Sequence, residues 1–141
     1  MTKIHTVYLS LGSNLGERKK ILDGALQLLE MRVGHVERVS SFYETEPWGF
    51  SSSNKFINVC ACCISGLSPR GVLEVTQQIE IELGRTKKSC DRKYYDRLID
   101  IDILLYDDKR IDEPDLKIPH PYMEEREFVM KPLKEILFSK I

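Results

Sequence analysis

An α+β fold is predicted for this chain, with a ferredoxin-like core: a split βαβ unit forming an αβ sandwich around an antiparallel sheet. Three observations carry the prediction. Segments of strand-like and helix-like hydrophobic period follow one another in the order β-α-β-β-α-β. The 141 residues, 42% of them hydrophobic, suffice for one compact domain over residues 1–141, burying roughly two thirds of the unfolded surface. No repeat, low-complexity tract or linker divides them.

The first strand is read over residues 4–11, where apolar and polar residues alternate. Gly12-Ser13-Asn14-Leu15-Gly16 then reads as a plain turn into a helix whose apolar face is Ile21, Leu22, Ala25, Leu28, Leu29 and Val33. Val36, Val39 and Phe42, spaced among polar residues, predict a strand over residues 35–44, and a loop follows over residues 46–53. Residues 56–65 form a more buried strand. Ser68 is a helix cap with Pro69 at the first helical position, Gly84 is the stop, and Val72, Thr76, Ile79 and Leu83 line the inner face. After a loop over residues 85–97, residues 98–106 supply the last core strand and Asp107-Asp108 a turn. Pro119-His120-Pro121 is a loop ahead of short helical pieces.

Lys+Arg of 21 against Asp+Glu of 22 leaves a net charge of -1, which argues against a general nucleic-acid coat or a polybasic membrane binder. The N-terminus has no long apolar region or small-residue cleavage site, and no stretch reaches the length of a membrane helix. A soluble, cytoplasmic protein is expected. Cys60, Cys62 and Cys63 fall in an apolar run and Cys90 in a polar loop, without zinc-site spacing or a nearby His. They read as reduced cysteines used as small hydrophobes, which suits a reducing compartment.

The chemistry concentrates at Asp100-Ile101-Asp102. Strand alternation puts both carboxylates on one face, roughly 7 Å apart, with Ile99, Ile101 and Ile103 toward the core. Two carboxylates on a hydrophobic strand repel each other, and a hard divalent cation such as Mg²⁺, completing its shell with phosphates, would compensate. A merely solvated strand face is the alternative. Just upstream, Arg85, Lys87, Lys88, Arg92, Lys93 and Arg97 face only Asp91 and Asp96, a cationic loop suited to polyphosphate. No Walker A or G-x-G-x-x-G motif is present. Gln77 and Glu80 share a helix face and could hydrogen-bond a base or ribose, or be solvated. His120, between two prolines, is held on a rigid segment suited to a phosphate or metal-adjacent contact.

With these residues in view, the chain resembles the 6-hydroxymethyl-7,8-dihydropterin pyrophosphokinase family. The resemblance runs from Gly12 to Leu133 through Leu11-Gly12-Ser13-Asn14-Leu15-Gly16, Ser41-Phe42-Tyr43-Glu44-Thr45-Glu46-Pro47-Trp48-Gly49, Phe56-Ile57-Asn58, Gln77-Gln78-Ile79-Glu80 and Leu83-Gly84-Arg85. It continues in Asp96-Arg97-Leu98-Ile99-Asp100-Ile101-Asp102-Ile103, Ile118-Pro119-His120-Pro121 and Arg126-Glu127-Phe128.

The resemblance implies a monomer that transfers pyrophosphate from ATP to the pterin hydroxymethyl group in folate biosynthesis. Asp100 and Asp102 would hold two Mg²⁺ ions. For the pterin it implies Phe56 and Phe128 as stacking faces, Asn58 as amide partner, Asp100 nearby, and Thr45, Glu46 and Trp48 as pocket wall. For ATP it implies Gln77, Glu80, Ile103, His120 and Arg126, with Arg85, Lys87 and Arg97 on the phosphates and Arg85 and Arg97 counted as catalytic. Three positions depart from the family pattern: Asp96 replaces a common Pro, Lys87 a common Arg, which keeps charge but loses bidentate geometry, and Phe56 a frequent Tyr, which should still stack. An RNA-binding domain of the same topology and a metal-dependent nucleotide hydrolase are the rival readings. The first lacks an aromatic-rich sheet strand, and the second leaves Phe56, Asn58 and Phe128 without a task.

Overall fold

The structure, a computed structural model, describes residues 3–14, 17–45, 55–84 and 99–137. The elements run β1 (His5–Ser13), α1 (Arg18–Arg32), β2 (Gly34–Val39), β3 (Tyr43–Thr45), β4 (Phe56–Ser65), α2 (Pro69–Glu82) and β5 (Asp100–Tyr106). A small hairpin, β6 (Ile111–Glu113) and β7 (Leu116–Ile118), a 3-10 turn at Met123–Glu125 and α3 (Glu127–Leu137) complete the chain. The main sheet is antiparallel in the order β2-β4-β1-β5, with β3 also pairing with β4. This is the ferredoxin-like arrangement predicted.

Alternation along each strand divides the molecule into two apolar layers. Val7, Leu9 and Leu11 of β1, Ile57, Val59 and Ala61 of β4 and Ile99, Ile101 and Ile103 at β5 face α1 and α2, whose Leu22, Ala25, Leu29, Val72 and Ile79 are buried against them. Burying each such side chain stabilises the fold by about 1.5–3 kcal/mol. On the opposite face, Cys60, Cys62 and Leu104 pack with Met123, Val129, Leu133 and Ile136 of the 3-10 turn and α3. Burial pushes the Cys60 and Cys63 thiols up to about 12, so they are un-ionised apolar groups at neutral pH. Cys90 lies outside the described residues.

The α2 cap is the one predicted: Ser68 Oγ accepts the Gly71 N–H at 3.0 Å, and Pro69 opens the helix. Gly84 ends it at φ 120°, a left-handed conformation that favours glycine. Among the described residues no helix is long and apolar enough to cross a membrane.

Four local expectations are corrected. Gly12 and Ser13 belong to β1 and not to a turn, because both find partners in β4. The strand expected over residues 35–44 is two strands: Ser40 Oγ takes the Cys60 N–H at 2.9 Å, and an extra residue is accommodated before Tyr43 pairs with Asn58. The hairpin β6–β7 was not foreseen; Arg70 at the start of α2 holds it through Glu113 and Asp115. The C-terminal helical pieces include an eleven-residue helix that continues through Pro132. Its buried Val129, Leu133 and Ile136 outweigh the backbone bond that Pro132 cannot make.

Candidate active site

Strand register assembles the site. Tyr43 of β3, Asn58 of β4, Gly12 of β1 and Asp100 of β5 stand opposite one another in one row across the sheet. The neighbouring row is Cys60, Ser10 and Asp102. Directly paired residues share a face, so both aspartates, Asn58 and, two residues along β4, Phe56 all project from the face opposite α1 and α2. Ile101 and Ile103 are buried on the other side, as the alternation predicted.

Gly12 is the gap in that row. A Cβ built on it would stand 2.9 Å from Asn58 Oδ1 and 3.5 Å from Phe56 Cδ1. The position therefore calls for glycine on steric grounds, which no turn pattern reveals. Asn58 is 4% exposed, and the space above Gly12 is what admits its side chain.

The C-terminal segment borders this face. The His120 N–H donates to the Leu104 carbonyl at 3.0 Å, tying the loop after β7 to β5. The Tyr122 N–H donates to His120 Nδ1 at 3.3 Å; a backbone N–H can only donate, so Nδ1 is the bare nitrogen and the ring proton sits on Nε2. Burial, with the Arg126 charge adding to it, holds the His120 pKa below the usual histidine range, and the Asp100 carboxylate opposes them. His120 is neutral at pH 7 by this balance. The Arg126 guanidinium lies 5.5 Å from the Tyr122 ring centre and 5.7 Å from that of Phe128, a cation held over two aromatic rings at the mouth of α3.

Asp100, Asp102, Phe56 and Asn58 thus share one face of the sheet, and His120, Arg126 and Phe128 belong to the C-terminal segment that is tied to β5 through His120. Gln77 is exposed on α2. Glu80 does not sit on a solvated face: it is 5% exposed, and its Oε2 accepts the Ile101 N–H at 2.7 Å. The Ile103 side chain is in the core, so only its peptide groups remain for a ligand. Thr45 pairs with Phe56 at the end of β3. Glu46, Trp48, Arg85, Lys87 and Arg97, together with Asp96, lie outside the described residues.

Sequence reasoning missed Ser10, the β1 neighbour of Asp102, and the bracing role of Glu135. Glu135 accepts the Tyr43 hydroxyl at 2.6 Å, the Ser41 N–H at 2.9 Å and the Ser41 hydroxyl at 3.0 Å, tying α3 to the start of β3. Neither had a legible signal, because a serine in a strand and a glutamate on an exposed helix face are ordinary.

The sequence model of the 7,8-dihydro-6-hydroxymethylpterin-pyrophosphokinase (HPPK) family matches residues 8–138. The chain belongs to this family. The HPPK relatives include the 2-amino-4-hydroxy-6-hydroxymethyldihydropteridine pyrophosphokinase of Porphyromonas gingivalis, 51% identical over 131 residues, covering 92% of this chain and 89% of the relative. The Bacillus subtilis protein of the same name is 43% identical over 130 residues, 92% of this chain and 76% of the relative. Among solved structures, wild-type Plasmodium falciparum HPPK-DHPS with SDX-DHP superposes with a TM-score of 0.73 at 18% identity, over 92% of this chain and 40% of that one. This chain spans about two fifths of that longer protein, and the likeness establishes the shared fold.

Among the described residues no three His, Cys, Asp or Glu side chains come together as a metal cage. Asp100 and Asp102 form a two-carboxylate, oxygen-only donor set on one strand face. Such a set fits a Mg²⁺ ion that takes its remaining ligands from water and phosphate.

Proposed function

We propose that the chain catalyses the reaction its family is named for, transfer of pyrophosphate from ATP to the hydroxymethyl group of 6-hydroxymethyl-7,8-dihydropterin, in folate biosynthesis, at the sheet face that carries Asn58, Asp100 and Asp102. The observation that carries the placement is the row Asn58–Gly12–Asp100 with Asp102 beside it. It puts an amide suited to a heterocycle edge next to paired carboxylates suited to a metal-phosphate group.

Phe56 and Phe128 offer aromatic surface for a flat ring, and Asn58 offers both a donor and an acceptor to its polar edge. Thr45, Glu46 and Trp48 complete the pterin wall in this reading. Gln77, the Ile103 backbone, His120 and Arg126 take the nucleotide, with His120 giving its Nε2–H as a neutral donor. Arg85, Lys87 and Arg97 take the triphosphate. The pterin hydroxymethyl oxygen bonds to the β-phosphorus as the bond from that phosphorus to the α-phosphate oxygen breaks, releasing AMP and the hydroxymethyl proton. Arg85 and Arg97, placed on the phosphates, oppose the charge that develops there.

Asp100 and Asp102 would hold two Mg²⁺ ions, which supply charge neutralisation of the triphosphate when bound. The chain is expected to act as a monomer in the cytoplasm without nucleic-acid or membrane partners, in keeping with its balanced charge.

The test is AMP release from Mg-ATP by the purified protein with and without the pterin. AMP formed only with the pterin is the expected result. Nucleotide hydrolysis that ignores the pterin would overturn the assignment in favour of a hydrolase.

A further inference from the structure

Glu80 is a buried carboxylate on α2, in the layer opposite the face from which Asp100 and Asp102 project. Its Oε2 accepts the N–H of Ile101, the residue between the two aspartates, at 2.7 Å. Among the described residues β5 is the terminal strand of the sheet, paired with β1. The Ile101 N–H is turned toward α2, where the Glu80 side chain accepts it.

That one bond fixes the peptide plane joining Asp100 to Ile101. The plane sets the backbone angles on both sides of it, and so the direction in which the Asp100 side chain leaves the strand relative to that of Asp102. Glu80 is itself held in place: it follows Ile79, buried in the core that contains Ile99, Ile101 and Ile103. The bond is largely shielded from water, the setting in which a hydrogen bond is electrostatically strongest.

We infer that Glu80 is a positioning residue for the metal-binding pair, holding the spread and direction of the Asp100 and Asp102 carboxylates through the Ile101 peptide. The inference rests on the proposed role of those aspartates and assigns Glu80 a task behind the strand. What matters is an acceptor of the right reach. Glu80→Gln keeps an oxygen at the same distance and loses the charge. Glu80→Asp keeps the charge and draws the oxygen back by one methylene, so it cannot reach Ile101.

The experiment measures Mn²⁺ binding, by loss of the free-ion paramagnetic resonance signal, in the presence of a non-hydrolysable ATP analogue, alongside kcat and the pterin KM. All variants are first compared by thermal melting. Glu80→Gln, which keeps an acceptor within reach of the Ile101 N–H, should bind Mn²⁺ more tightly than Glu80→Asp. Glu80→Asp, still folded, should need about five- to ten-fold more Mn²⁺ and lose kcat by a similar factor, the equivalent of one lost hydrogen bond, with the pterin KM unmoved. A Glu80→Asp variant equal to wild type, or a Glu80→Gln variant that is the weaker of the two, would overturn the positioning role. Wild-type protein that takes up no Mn²⁺ would instead overturn the metal assignment on which it rests.

Discussion

Replacing Gly12 with alanine tests the site where it is tightest. The added Cβ would stand 2.9 Å from Asn58 Oδ1 and 3.5 Å from Phe56 Cδ1. Asn58 Oδ1 must therefore retreat by about half an ångström to reach ordinary contact, and a residue 4% exposed cannot swing out into solvent. Overpacking of this kind costs about 1–3 kcal/mol of stability. In the proposed role of Asn58 the shifted amide also loses its aim at the pterin edge, and one hydrogen bond at about 1 kcal/mol corresponds to roughly a five-fold weaker pterin. The ATP contacts proposed for His120 and Arg126 come from a different segment and should be untouched. Urea unfolding gives the first quantity, and separate KM measurements for pterin and ATP give the second. A folded Gly12→Ala enzyme with an unchanged pterin KM, or with both KM values raised alike, would refute the reasoning. Gly34 supplies the contrast: its added Cβ would run into the Ile64 carbonyl, a backbone atom remote from the site, so Gly34→Ala should damage folding while substrate KM values of any folded fraction stay normal.

Asp100→Ala and Asp102→Ala should each lower kcat by more than about a hundred-fold, since even changes behind a metal ligand cost ten- to a hundred-fold. Melting temperatures should hold or rise, because removing one carboxylate relieves repulsion; unfolding of either variant would contradict the proposed metal pair. Glu135 titrates below the usual glutamate range, chiefly through the Tyr43 hydroxyl and also through Ser41. Its contribution to stability is thus present above the ordinary value of about 4.3 and is lost as pH falls through its lower folded value. Acid unfolding followed by circular dichroism should show a shallower pH dependence in Glu135→Gln, and an unchanged curve would remove Glu135 from the account. Ser68→Ala removes the α2 cap and should cost about 1 kcal/mol in urea unfolding. Activity per folded molecule should be retained, and a selective loss of activity would mean that the cap serves the site.

Much of the fold could be read from local pattern because local pattern is where its causes lie. The two-residue period of β5 placed Asp100 and Asp102 on one face and Ile99, Ile101 and Ile103 on the other. Ser68-Pro69 and Gly84 bounded α2 through capping and left-handed backbone, both properties of single residues. Where the pattern misled, a partner far along the chain decided. The break between β2 and β3 depends on Ser40 meeting Cys60, and the length of α3 depends on Val129, Leu133 and Ile136 finding Cys60, Cys62 and Leu104.

The sequence by itself determined the strand and helix order, the carboxylate pair, the cationic segment before it and the motifs that the family shares. Tertiary structure alone decided that Gly12 is the gap beneath Asn58, that Asn58 and Asp100 stand in one row, and that burial holds the His120 pKa down. It also took Glu80 from what reads as a polar helix face to the Ile101 peptide. Periodicity reports which residues of one element face the same way. Which elements then stand opposite one another is set by register and by packing between distant segments, and hydrogen bonds, steric gaps and pKa shifts exist only once those segments meet.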